Sequence, residues 1–357
     1  MRGPLLLVAL ASCSTPREAP PRVDDDSAPA RAWSAPLPIE NATIPRPSPV
    51  PGVMTVQYAA PPPARTPGAP RSKPGARGPG GAKRIGTGDY WFGTGPGYVY
   101  SCQGEVLRTW PKGGGDELSR GPCHGAFSYL GDDSGTYFCD SDGVKRIPEQ
   151  GDPELLTAEA KGCILDAIDD RFAYYVVPGF VGVKNPGLYR IAKRGGEPTK
   201  LYASRKGEQI FIALDGDQLW MGAWGAGTIS RMPKAGGTLT TVITGQRGIV
   251  NLQVDGQSLY WYPESTGEIR RRAKRGGPIE VVAKGLDQEP ILVHDGHLFW
   301  FAGSAGKTQT LMQLAPNAAA PKVLVSGLMS PSLTIDDEGI FFQEFGKQGI
   351  YMLPLPE

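Results

Sequence analysis

The sequence predicts an all-β fold: a seven-bladed β-propeller, about 40 residues per four-stranded blade, after a disordered Pro-rich N-terminal tail. Three observations predict it. A unit of about 40 residues recurs between residues 85 and 357. Each unit holds four short runs of aromatic and β-branched residues split by turn signals, and no run keeps a helical period. Proline is unevenly placed, with 18 of the 35 in residues 1–84. A segment so rich in Pro cannot bury enough surface to offset its ordering entropy, so it reads as a tail.

Residues 1–12 carry one early charge, Arg2, and the apolar run Leu5 to Ala11. The run is far shorter than the ~20 residues that span a bilayer. Its layout is that of a signal peptide. Residues 13–84 read as a tether. Pro20-Pro21, Pro61-Pro62-Pro63 and the alternating Pro45, Pro47, Pro49 and Pro51 favour extended polyproline II. One β-prone island interrupts it, Val53-Met54-Thr55-Val56-Gln57-Tyr58.

Residues 85–357 form the repeat body, which is clearest in its middle. Asp215-Gly216, Leu219-Trp220-Met221, Ile229-Ser230-Arg231 and Gly236-Gly237 return as Asp255-Gly256, Leu259-Tyr260-Trp261, Ile269-Arg270-Arg271 and Gly276-Gly277. They return again as Asp295-Gly296, Leu298-Phe299-Trp300 and Leu311-Met312-Gln313. Asp-Gly marks a hairpin between the first and second runs, because that turn needs φ > 0. Gly-Gly does the same between the third and fourth. Four strands per unit, repeated, is the signature of a propeller blade. The last unit ends after its third strand, so a strand from the N-terminal side is expected to complete it. The island Val53 to Tyr58 is the candidate, and the segment near Ile85 to Phe92 is the alternative.

Two resemblances follow from these residues. Leu10-Ala11-Ser12-Cys13 resembles the bacterial lipobox, two small residues before a Cys that is lipidated after cleavage. The resemblance implies a lipoprotein cut at Ser12–Cys13 and acylated on Cys13. With Ser rather than Asp at position 14, it implies an outer-membrane address in the cell envelope. Several acyl chains suffice for stable anchoring where one is marginal. In the body, Leu-Tyr-Trp followed by Ile-x-Arg resembles the YWTD propellers, and also the TolB-like and NHL-like propellers. The Thr-Asp of the YWTD motif is absent, since Tyr262-Pro263 and Phe301-Ala302 stand in its place. No Trp-Asp pair supports a WD40 repeat.

Four Cys lie in the body: Cys102, Cys123, Cys139 and Cys163. An exported chain with an even count is expected to form disulfides. Cys102 and Cys139 each end a second strand; Cys123 and Cys163 each start a first strand. Cys102–Cys123 and Cys139–Cys163 would be repeat-equivalent staples, and Cys123–Cys139 is the rival pairing. A zinc site with His124 lacks the CxxC spacing.

Chemistry-bearing motifs are few. Gly303 to Thr308 looks like a phosphate loop but joins two strands, with no helix N-terminus to cradle an anion. His294 and His297 flank a turn and are expected to face solvent. Asp132-Asp133, Asp169-Asp170 and Asp336-Asp337 fill the turn slot, where turn chemistry explains them. Arg108, Arg146, Arg190, Arg231 and Arg271 recur in the third strand, where ion pairs and stem packing between blades account for them.

No catalytic residue, cofactor or metal is therefore assigned. Lys+Arg 37 against Asp+Glu 36 leaves a net charge of +1, which excludes a strongly basic nucleic-acid binder. The expected function is an envelope-anchored propeller that binds an envelope protein or glycan, touching membrane only through its lipid. Phe180 and Trp224, aromatics on loops of the cysteine-bearing face, are the candidate contact residues. The alternative is a lyase or glycan-active hydrolase with its site in the central channel. A cluster of Asp, Glu or His there would favour the enzyme; an apolar or crowded channel would favour the binder.

Overall fold

The computed structural model describes residues 78–87, 92–126, 128–148, 151–179, 184–286, 290–303, 307–329, 332–344 and 349–356. The chain divides into Met1–Ser48 and Pro49–Glu357, and every described residue belongs to the second unit. The tail up to residue 77, the island 53–58, Cys13 and Phe180 lie outside the described residues.

The first strand, β1, is Lys83–Thr87. Sheet A contains β2 (Phe92–Gly95), β3 (Tyr98–Gln103), β4 (Val106–Pro111), β5 (Leu118–Pro122), β6 (Tyr129–Asp132), β7 (Gly135–Cys139), β8 (Val144–Ile147) and β9 (Glu154–Thr157). Sheet B contains β10 (Ile164–Ile168), β11 (Phe172–Val177), β12 (Gly187–Ala192) and β13 (Thr199–Ala203). Sheet C contains β14 (Ile210–Asp215), β15 (Gln218–Ala223), β16 (Thr228–Pro233) and β17 (Thr240–Ile243). Sheet D contains β18 (Ile249–Val254), β19 (Ser258–Pro263), β20 (Glu268–Ala273) and β21 (Glu280–Lys284). Sheet E contains β22 (Leu292–His294), β23 (His297–Ala302), β24 (Thr308–Leu314) and β25 (Lys322–Met329). Sheet F contains β26 (Ser332–Asp336), β27 (Gly339–Glu344), β28 (Gly349–Leu353) and, on its outer edge, β1.

The all-β propeller stands, but its blade count is corrected. Seven separate four-stranded blades are expected, and five four-stranded sheets are found. The other eight strands form one continuous sheet, because β2 and β6 pair in parallel through Thr94 and Leu130. Glycine permits that approach. A Cβ on Gly131 would lie 2.3 Å from Gly95 Cα, and one on Gly93 would lie 2.5 Å from the Tyr129 carbonyl oxygen. Neither contact is sterically possible for a side chain, so this junction closes to pairing distance where the others do not.

The closing strand is also settled. Lys83 pairs with Met352 and Thr87 with Gly349, antiparallel. The place beside β28 is therefore held by β1, which contains Ile85. Phe92 belongs to β2, as its assignment to an inner strand expected.

The first strands pack on one another in a closed cycle: β2, β6, β10, β14, β18, β22, β26 and back to β2. Second strands are apolar on both sides, because each is covered by a neighbouring sheet or half-sheet on either face. Trp220 with Met221, Tyr260 with Trp261, Phe299 with Trp300 and Phe341 with Phe342 are all buried. Each such aromatic removes ~150–250 Å² from water, so these runs dominate the core. The outer strands are more exposed, with Leu118, Leu155, Val281 and Val323 open to solvent.

Candidate functional site: a channel cavity ringed by ion-pair latches

The hairpins between first and second strands gather at one face, because the first strands run in the same direction. Asp132, Asp215 and Asp336 end β6, β14 and β26, and Asp169 follows β10. In Asp132, Asp169 and Asp336 one carboxylate oxygen does the turn work expected of it. Asp132 accepts the Ser134 amide, Asp169 the amides of Arg171 and Phe172, and Asp336 that of Glu338. The turn reading accounts for only half of these side chains. In all four aspartates an oxygen takes a lysine ammonium from the unit that follows around the ring. Asp169 holds Lys234 at 2.7 Å, Asp215 holds Lys274 at 2.5 Å, Asp336 holds Lys112 at 2.6 Å and Asp132 holds Lys193.

Each latch lysine is fixed by its own backbone. The amides of Lys112, Lys193, Lys234 and Lys274 donate to carbonyls of Gly97, Arg171, Asp217 and Gln257, in the hairpin of the same unit. That bond aims the side chain across the junction. The electrostatics follow. Burial alone would raise the Asp169 carboxyl. Lys234, the two amides and the Tyr174 hydroxyl together bring it down to about 2. Asp132 is likewise lowered against its burial by Lys193 and Ser134.

Inside this ring of latches lies a cavity of about 260 Å³, lined from five first strands by Thr94, Leu130, Gly131, Asp166, Ala167, Ile168, Leu214, Thr334, Ile335 and Asp336, among others. At ~30 Å³ per water it has room for several waters or one compact organic molecule. Asp166 is its distinctive group. It sits at a β-bulge: Leu165 pairs with Tyr175 and Ala167 with Tyr174, which leaves Asp166 unpaired between them. A bulge re-aims a side chain that strict alternation would send elsewhere. Its carboxylate accepts the Ile212 amide from sheet C, yet desolvation dominates and pushes it up to about 7.

The opposite face carries the cysteines. Cys102 is bonded to Cys123 and Cys139 to Cys163. Beside both bridges lies a group of His124, Asp140 and Asp142 with the spacing of a metal site. Lys145 already fills its centre, with its ammonium 2.7 Å from Asp140 and 2.8 Å from Asp142. Asp140 also accepts the amides of Asp142 and Gly143. The group is a satisfied ion-pair network. His124 adds a 2.7 Å contact to Asp142, whose carboxyl Lys145 and His124 lower.

Trp224, on the same face, is half-buried and donates its indole N–H to Glu264 at 3.2 Å. His294 and His297, expected at the solvent, are half-buried instead. His297 bonds Gln313 at 2.6 Å and stacks on Phe299, and His294 lies 3.7 Å from Asp337. Most third-strand arginines pair within their own sheet: Arg108 with Glu117, Arg146 with Glu154 and Arg271 with Glu280. Arg190 reaches the next sheet, donating to the Lys234 carbonyl. The inter-unit ion pairs belong to lysines, which the sequence reading did not single out. The recurrent Lys after the third strand, at 112, 193, 234 and 274, was the available signal.

The fold and the cavity define a β-propeller with a recess at the channel mouth on its hairpin face. Solved structures agree on the fold. Virginiamycin B lyase from Staphylococcus aureus is similar with a TM-score of 0.59 at 17% identity, covering 77% of this chain and 98% of that one. A streptogramin B lyase gives 0.57 at 14% identity, covering 79% and 95%. A nidogen/laminin complex chain gives 0.47 at 19%, covering 61% and 88%. The two lyases agree with the β-propeller fold. Identities this low carry the fold and no activity. No protein-family model matches the chain, and no curated protein matches it.

Proposed function

We propose that this protein is a non-catalytic binding module, exported and held in the cell envelope through a lipid on Cys13. One observation carries the binding reading. The channel cavity has apolar walls around a single carboxylate, Asp166, that no latch neutralises. Asp336 also reaches the cavity, but Lys112 and the Glu338 amide engage it. General acid–base work needs a second group placed to exchange protons with the first. Of the other ionisable lining groups, burial pushes the Tyr129 hydroxyl well above its usual range and Lys112 holds Asp336, so neither is poised to exchange protons with Asp166 near neutral pH. The similar solved structures include lyases, but their likeness is one of fold.

The test is a ligand screen of the full chain by thermal shift, with mass spectrometry of each stabilising compound before and after incubation. Stabilisation without chemical change is the expected result. Turnover of any compound, quinupristin-type lyase substrates included, would overturn the reading in favour of an enzyme. Anchoring has its own test: incorporation of an alkyne-labelled fatty acid, lost in Cys13→Ser. The envelope partner, protein or glycan, is proposed for the cysteine-bearing face near Phe180 and Trp224. Cross-linking to envelope extract should capture it, and Phe180→Ala with Trp224→Ala should lose it. That face is opposite the cavity, so the two tests do not interfere.

A further inference from the structure

Asp166 differs from every carboxylate around it. Asp132, Asp169, Asp215 and Asp336 crowd the same face, and each has a lysine. Among the described residues no cationic side chain lies within ion-pair distance of Asp166. Its one identified donor is the Ile212 amide. Asp166 is half-buried, and a desolvated carboxylate without a cation is costly, so such groups are ordinarily paired, protonated or bound to a ligand. The bulge between Leu165 and Ala167 adds a second cost, because it interrupts the β10–β11 ladder to seat this residue.

The walls narrow the ligand. The side chains of Leu130, Ala167, Ile168, Leu214 and Ile335 offer no hydrogen bonds. Thr94 and Thr334 add hydroxyls beside Asp166, Tyr129 lines the cavity with its ring packed against Tyr100 and Phe138, and Asp336 is held by Lys112. A hard divalent cation needs six or more oxygens, which these residues do not supply. An anion would meet an uncompensated carboxylate. A sugar would leave most of its hydroxyls against apolar carbon. The remaining class is a compact apolar body with one positive charge. A volume of about 260 Å³ is at the small end of ligand pockets, which sets its size.

We propose that the channel cavity takes a small protonated amine, its ammonium paired with Asp166 and its carbon skeleton against Leu130, Ile168, Leu214 and Ile335. This rests on the reading of the protein as a binding module and names the ligand class of its cavity. Asp166 supplies specificity for charge, and the leucine and isoleucine walls supply affinity.

The experiment uses the full chain and calorimetric titration of three isosteric sets: cyclohexylamine and phenethylamine, the corresponding alcohols, and the corresponding carboxylates. Amines are expected to bind at least tenfold tighter than alcohols, and carboxylates not to bind. Asp166→Asn should weaken the amines at least tenfold and leave the alcohols unchanged. Leu214→Phe, which fills the cavity, should abolish binding of both. Circular dichroism and melting curves show that each variant is folded. Amine affinity unchanged in Asp166→Asn, alcohols binding as tightly as amines, or no binding of any amine would each overturn the proposal. If alcohols alone bind and Leu214→Phe abolishes them, the amine assignment falls while the binding-module reading stands.

Discussion

The junction inside sheet A and the two junctions around sheet E join the same repeat in opposite ways. Inside sheet A, β2 and β6 pair directly and Cys102–Cys123 ties β3 to the segment that enters β6, while Cys139–Cys163 ties β7 to the start of sheet B. Around sheet E there is no bridge and no lysine latch among the described residues. The latch position is Pro316 where Asp255 awaits a lysine, and Leu355 where Asp295 does. Proline removes both parts of the device, since it has no ammonium and no N–H for the hairpin bond. Asp255 instead spends its oxygens on the amides of Gln257 and Ser258 and on the Tyr260 hydroxyl. A shared repeat therefore does not imply shared junction strength. Stability is distributed unevenly, and sheet E is the expected site of first local opening.

The largest effect is expected where the difference is covalent. The bridges span sequence separations of 21 and 24 residues. Removing both, as Cys102→Ser with Cys139→Ser, should cost ~3 kcal/mol for each bridge. Urea unfolding with and without reductant measures it. A combined loss below about 1 kcal/mol would mean that the β2–β6 pairing alone holds this region.

Next comes Asp166. Its carboxyl ionises near 3.8 when unfolded and near 7 when folded. Between those values the folded state binds a proton that the unfolded state lacks. The stabilisation is full below the lower value and is lost as pH rises through the higher one. Asp166→Asn should remove that loss and exceed the parent at pH 8 by ~1–3 kcal/mol, discounted for partial exposure. Melting curves at pH 5 and pH 8 decide it, and an identical pH dependence in the two proteins would count against the desolvated carboxyl. Asp169 acts oppositely. With its carboxyl near 2, it contributes above the unfolded value and loses that contribution as pH falls toward 2.

A smaller effect separates the latches themselves. The Lys112 side chain is 4% exposed and serves Asp336 and Glu338, whereas that of Lys274 is 17% exposed and serves Asp215 alone. Lys112→Met should cost ~2 kcal/mol and Lys274→Met ~1 kcal/mol. Equal costs would show that burial of the ammonium does not matter here. The smallest change builds the missing latch. Pro316→Lys should gain ~0.5 kcal/mol, the new bonds being partly offset by a freer unfolded chain. It should also slow amide exchange in β23 and β24, which a surface charge alone would not do.

Much of this was readable from residues, and the failures have causes. The repeat phase placed Cys102 with Cys139 and Cys123 with Cys163, and that equivalence foresaw both bridges. Asp-Gly and Gly-Gly gave the hairpins because backbone need and residue type coincide there. The merging of two blades was hidden because it depends on what is missing at Gly93, Gly95 and Gly131. No hydrophobic pattern reports a gap. The closing strand was hidden because Lys83 to Thr87 has weak strand propensity and is held by its partner β28. The latches were half visible. Their acids read as turn formers, while each lysine lies in the next unit or, for Lys112, across the ring closure. Asp166 was missed because alternation misplaces any residue at a bulge.

Antiparallel pairing of β1 with β28 has a consequence for how the chain is made. The strand that emerges early must wait for nearly the whole body before its partner exists. Until Met352 has followed Lys83 out, sheet F is short of one strand and the circle stays open. Contacts between the extremes of a chain pay their loop-closure entropy late and form slowly. The half-made molecule therefore presents an unpaired edge and an apolar flank for the duration of synthesis. A truncation that removes β28, the last nine residues of the chain, would strand both.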